Sequence, residues 1–138
     1  MGIKQISVFL ENTTGRLCEV TQTLAKAGIN LRAISIADTA DFGILRLIAD
    51  KTDEAINVLT AAGFTTRQTN VAAVEIDDKP GSLASLMELF RTSGINIEYL
   101  YASLEGSHDK AVVIFKLEDH EKGFEILKKN GLIMAEKF

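Results

Sequence analysis

The 138-residue chain has no tryptophan, one proline and one cysteine. A single cysteine, Cys18, excludes any disulfide within the chain and points to a cytoplasmic protein. It also removes the paired thiols that metal carriage on a small α/β module would need. With one proline and no low-complexity tract, a disordered chain is not expected. No apolar run is long enough to cross a bilayer, so no membrane partner is expected. Residues 1–11 alternate like a strand and lack the pattern of a signal peptide. There is no excess of positive charge: the net charge is −4. Nucleic acid is therefore a poor partner, since phosphate contacts need concentrated Lys and Arg. Tyr99 and Tyr101 are too few on an acidic chain to make an RNA-stacking sheet. Nucleotide-binding glycine loops are absent.

What is present is a repeat. At a shift of 66 residues Val8 meets Val74, Gly15 meets Gly81 and Leu17 meets Leu83. Gly28, Ile29 and Asn30 meet Gly94, Ile95 and Asn96 in full. Past residue 40 the shift becomes 68, with two extra residues expected in 105–109. Leu59 then meets Leu127, Gly63 meets Gly131 and Phe64 meets Leu132. The matches fall on glycines and periodic apolar positions, where backbone geometry and packing restrict choice.

Each copy reads strand, helix, strand, strand, helix, strand. Ile6, Val8 and Leu10 alternate, as do Ala72, Val74 and Ile76. Leu17, Val20, Thr21 and Leu24 follow at helical spacing, as do Leu83, Leu86, Met87 and Phe90. Second strands are expected over 29–37 and 95–103, and third strands over 44–49 and 111–117. A helix and a last strand starting at Phe64 or Leu132 complete the unit. The expected class is α+β: two ferredoxin-like βαββαβ modules, 1–70 and 71–138, each an antiparallel sheet with both helices on one face. The uncovered face is expected to carry residues from among Phe9, Ile34, Ile36, Tyr99 and Tyr101, depending on register, and to seek a cover. At least a homodimer follows from that.

The loop after the first strand is the most informative segment. It holds Glu11, Asn12, Thr13, Thr14, Gly15, Arg16 and Leu17 in the first copy, and Asp77, Asp78, Lys79, Pro80, Gly81, Ser82 and Leu83 in the second. Each leads into a helix N-terminus, where free N–H groups and the helix dipole suit a carboxylate. Asn, Asp, Thr and Ser are also ordinary helix caps, so the loop alone reads either way. Asn12 both donates and accepts, whereas an ionised Asp78 only accepts and suits an ammonium. Asn30 and Asn96 each open a second strand. Asn after Gly is common turn chemistry, yet the same residue stands in both copies.

Candidates for catalysis are thin. His108 and His120 lack a neighbouring Ser, Cys or Asp in a triad-like pattern. Cys18 reads as a packing residue on the first helix. No catalytic residue, metal or cofactor is expected.

The two loop motifs, each followed by Gly-Ile-Asn, resemble the ACT domain. The wider pattern is Asp/Asn-x-Pro-Gly-x-Leu, a helix, then Gly-Ile-Asn-Ile. The second copy, with Asn96 and Ile97, fits it closely. The first departs with Thr14 for proline and Leu31 for isoleucine. The resemblance covers essentially the whole chain, as a tandem ACT protein with no catalytic domain. It implies an amino-acid-binding regulatory or sensor protein, acting by ligand-dependent allostery on amino-acid metabolism. It also implies ligand contacts from Asn12 and Asn30, and from Asp78 and Asn96. Because Asp78 would repel a carboxylate, the first loop ranks above the second. The alternative is a ligand-independent regulatory subunit that docks on a separate metabolic enzyme.

Overall fold

In the computed structural model, residues 2–39, 41–104 and 109–136 are described. The chain divides into two compact units, one of Lys4–Thr69 and one of Asn70–Phe138 together with Met1–Ile3. In the first unit the elements are β1 (Ile3–Glu11), α1 (Arg16–Lys26), β2 (Leu31–Asp38), β3 (Phe42–Ala49) and α2 (Thr52–Ala61). A thirteen-residue strand, β4 (Thr65–Asp77), ends the first unit and begins the second. The second continues with α3 (Ser82–Thr92), β5 (Ile97–Ala102), β6 (Lys110–Leu117) and α4 (His120–Lys129). Strand order is β2-β3-β1-β4 in the first module and β4-β6-β5 in the second, with β4 counted in both. The paired strands are antiparallel. This is the ferredoxin-like α+β arrangement, twice.

The duplication holds down to single hydrogen bonds. Ile29 N–H donates to Leu24 O at 3.0 Å, and Ile95 N–H donates to Phe90 O at 2.9 Å. Phe64 bonds Leu59 at 3.0 Å, and Leu132 bonds Leu127 at 3.1 Å. Leu17 and Leu83 are each the second residue of their helix. Those bonds close the helix C-termini through Gly28, Gly63, Gly94 and Gly131, all at positive φ, where a Cβ would strain the backbone.

Each module has its own core on the helix-covered face. Ile6, Val8, Leu10, Leu45 and Leu47 pack with Val20 and Leu24 of α1 and Leu59 of α2. Ala72, Val74, Val113 and Phe115 pack with Leu86 and Phe90 of α3 and Leu127 of α4. The Phe90 and Phe115 rings meet edge to face, with centroids 5.5 Å apart.

Three expectations need correction. Ile34 and Ile36 do not lie on the uncovered face: they pair with Leu47 and Leu45, which point to the core. A β-bulge between Leu31 and Ala33 steps the alternation by one residue, and its twin lies between Ile97 and Tyr99. Phe9, Tyr99 and Tyr101 do lie opposite the helices, and Tyr101 is buried there. Cys18 is exposed and packs against no core. Among the described residues the last strand of the second module is reduced to a bridge between Val74 and Met134, held by Glu75 N–H to Ile133 O and Ala135 N–H to Ala73 O. His108 and most of the expected insertion lie outside the described residues.

Candidate functional site

The two loops share one backbone path. Thr13 N–H donates to Glu11 O at 2.9 Å, as Lys79 does to Asp77 O at 3.0 Å. Asn12 N–H bonds Asp41 O at 2.9 Å, and Asp78 N–H bonds Asp109 O at 2.8 Å. Gly15 (φ 90°) and Gly81 (φ 91°) are the residues that turn each loop into its helix. That conformation is costly with a Cβ, although the space where one would stand is open. Neither helix has a side-chain cap. The first N–H of each helix goes to a loop carbonyl, Arg16 to Thr13 O at 3.5 Å and Ser82 to Lys79 O at 3.3 Å, and no loop side chain caps the N–H groups that follow, which have no acceptor within a helix. Leu17 and Leu83 sit in those first turns and are exposed at 41% and 38%.

A cleft of about 510 Å³ opens at the second loop. One wall is the end of β4, with Glu75, Ile76 and Asp77. The second is the loop and first turn of α3, with Lys79, Pro80, Gly81, Ser82 and Ser85. The third is residues Gly131, Leu132 and Ile133, and Lys110 closes one side. Charge inside is mixed. Lys110 Nζ is hydrogen-bonded to the Asp77 carboxylate, and Lys79 lies 3.8 Å from it. The Lys110 hydrogen bond and charge hold the Asp77 carboxyl below its ordinary range, and Asp77 in turn raises the Lys110 ammonium. Such a cavity has donors for a carboxylate at the helix end, acceptors for an ammonium on Glu75 and Asp77, and apolar walls for a side chain.

Of the residues expected from sequence, Lys79, Pro80, Gly81 and Ser82 line this cleft, and Asp78, Leu83, Asn96 and Ile97 do not. Asp78, whose charge ranked the second loop below the first, is exposed and stands between the lining residues Asp77 and Lys79. Glu75, Lys110 and Leu132 were missed, and Asp77 was read as the start of the loop without a contact of its own. Their signal was available in the strand pairing: Asp77 and Lys110 are direct cross-strand partners.

The asparagines lie elsewhere. Asn30 and Asn96 are exposed, and their carbonyls accept from Asp50 N–H and Glu118 N–H, each at 3.0 Å. Glu11 pairs with Phe42 and Leu31 with Ala49. The loop and Asn30 therefore sit at opposite ends of β3, seven residues or about 23 Å apart at strand rise. Asp77 with Lys110 and Ile97 with Leu117 place Asn96 equally far from the second loop. A single module does not bring its loop and its asparagine onto one ligand.

In the first module the loop is differently furnished. Asn12 Nδ2 donates to Thr39 O at 3.3 Å. Thr13 and Thr14 are exposed. The Arg16 guanidinium binds Glu19 at 2.6 Å and lies 4.7 Å from the centroid of the Phe64 ring. Among the described residues no group of three or more His, Cys, Asp or Glu could hold a metal ion, and no helix is long and apolar enough to cross a membrane.

Residues 1–137 match the family model of the ACT domain pair. Among solved structures, a protein from Bacteroides thetaiotaomicron is 38% identical, with a TM-score of 0.92 over 98% of this chain and 92% of that one. The ligand-free regulatory subunit of aspartate kinase from Thermus thermophilus is 20% identical, with a TM-score of 0.69 over 94% and 93% of the two chains. Its counterpart from Thermus flavus is 21% identical, with a TM-score of 0.62 over 91% and 90%. No curated protein matches. Two modules with this topology, these paired glycine loops and a family match along nearly the whole length place the chain in the ACT domain family, as an ACT domain pair.

Proposed function

We propose that this chain is a regulatory protein that binds a free amino acid in the cleft of its second module and performs no catalysis itself. The observation that carries the reading is the cleft beside Gly81. It sets a helix N-terminus without a side-chain cap, two lysines, two carboxylates and apolar walls around a space large enough to admit an amino acid. A zwitterion needs both signs of charge, and the cleft offers both. The likeness to aspartate kinase regulatory subunits supports a role exerted on a separate metabolic enzyme. Asn30 and Asn96 enter the reading through assembly. Each stands too far from its own loop, so another module would have to supply it, and we assign that module to a second copy of the chain, a homodimer in the cytoplasm.

The test is a thermal-shift screen of single L-amino acids on the full chain. Binding confined to the folded state raises stability by about 2.7 kcal/mol at a hundred times Kd. Leu132→Trp, which fills the apolar wall, should then weaken binding by about tenfold or more, near 1.4 kcal/mol. A panel in which no amino acid stabilises the protein ends this reading. Docking on an enzyme without a ligand is the second reading, favoured by the exposure of Phe42 (60%) and Ile36 (52%). Enzyme binding that no amino acid alters would select it.

A further inference from the structure

The two modules invite a position-by-position comparison of the cleft. The strand pairs Asp77 with Lys110 and Glu11 with Phe42 fix the correspondence independently of the glycines. Where the second module has Ser82, Ser85 and Leu132 on the cleft walls, the first has Arg16, Glu19 and Phe64. Arg16 contacts both of the others. The guanidinium lies over the Phe64 ring at 4.7 Å and is held by Glu19 at 2.6 Å. Arg16 Nε is buried, with no hydrogen-bond partner among the described residues. Phe64 itself is 5% exposed. A long cation thus crosses the space that two serines and a leucine leave open in the other module. It has an aromatic face beneath it and a carboxylate to fix its rotamer.

The geometry points to a plug: Arg16 fills the first module's equivalent of the cleft, so each chain takes one ligand, in the second module. The inference rests on the reading of the cleft as an amino-acid site, and it names which half of the pair uses that site. It reverses the order expected from the loop sequences, because occupancy is decided by the residue after the glycine and its neighbour three positions on. The buried Nε is the cost of the arrangement, since a donor removed from water goes unmatched. Removing the arginine should relieve that and leave a cavity lined by Phe64 and the N-terminus of α1.

The experiment uses the full-length chain as wild type, Arg16→Ser/Glu19→Ser and the converse Ser82→Arg/Ser85→Glu/Leu132→Phe. Crystal structures of all three are solved without added amino acid. Backbone amides are followed by NMR during titration with each standard L-amino acid in turn. In wild type, saturable shifts are expected at residues 81–85 and none at 15–19, with one ligand per chain by calorimetry. In Arg16→Ser/Glu19→Ser a cleft beside Phe64 should be open, residues 15–19 should also respond, and stoichiometry should rise to two. In the converse variant the response at 81–85 should disappear. A saturable response at 15–19 in wild type overturns the plug. So does a stoichiometry that stays at one once Arg16 is gone. If no amino acid moves an amide in any of the proteins, the amino-acid reading itself falls. The crystal structures then decide the plug alone: open space beside Phe64 in Arg16→Ser/Glu19→Ser sustains it, and collapse of Phe64 into that space overturns it.

Discussion

The two modules share a backbone and divide their volume differently. Ile6 faces Leu47 across the first sheet, whereas the corresponding pair in the second is Ala72 and Phe115. Ala49 and Ala55 lie in the first core; their counterparts are Leu117 and Gly123. A Cβ on Gly123 would run into the Leu117 side chain, which is fully buried. One module fills this corner with two methyl groups, the other with one leucine against a bare backbone. Close packing demands the total, and the assignment of that total to individual positions is free. The same freedom explains the clefts: a small residue after the glycine leaves a space, and a long one fills it.

That comparison can be broken most forcefully at the corner. Leu117→Ala should cost about 2–5 kcal/mol by cavity formation. Gly123→Ala should cost about 1–3 kcal/mol through overpacking, despite the better helix propensity of alanine. The double variant recreates the first module's pair and should be more stable than the sum predicts, by about 1 kcal/mol or more. Chemical denaturation of the four proteins measures this, and strict additivity would show that the two corners are not interchangeable.

A smaller effect separates the second helices. Asp119 caps α4, accepting from Lys122 N–H at 3.1 Å, while its counterpart Lys51 gives α2 no side-chain cap. Asp119→Ala should lower stability by about 1 kcal/mol, and Lys51→Asp should recover a comparable or lesser amount in the first module. Thermal melts of both variants would sharpen the contrast, and a destabilised Lys51→Asp would contradict it.

The smallest difference is electrostatic. Asp77 and Lys110 pair in the second module, where the first has Glu11 and Phe42. Asp77 titrates below its ordinary value because of the Lys110 hydrogen bond and charge. Its contribution is therefore present above the ordinary carboxylate range and fades as pH falls through the lowered value. NMR titration of the Asp77 carboxyl should show the depressed midpoint, returning to the ordinary one in Lys110→Met. An unchanged midpoint in that variant would remove the pair from the account.

Much of this was legible in the chain itself. The glycines at 15, 28, 63, 81, 94 and 131 announced the duplication, because each sits at a positive φ that few other residues adopt. The strand alternation placed Ile6, Val8, Leu10, Ala72 and Val74 in the cores. The faces of the second strands were not readable. A bulge carries no strong sequence mark, and one extra residue reverses the side of everything after it. The cleft was half legible. Pro80, Gly81 and Ser82 stood out as a motif, whereas Glu75, Lys110 and Leu132 reach it only through strand pairing and a helix-ending turn. Arg16 read as one member of the ligand-binding loop. Its place over Phe64 joins positions forty-eight residues apart, a relation that local pattern does not encode.

The shared strand β4 adds a rule of parity. Thr65–Asp77 runs from one module into the next without a turn, so the join has no slack in which to lose or gain a residue. A single insertion near Asn70 would turn Ala72, Val74 and Ile76 toward the wrong side unless a bulge absorbed it. A double insertion would leave them facing their core. Length at this boundary is counted in twos: an even change lengthens the strand, and an odd one rewrites which side of the second half is inside.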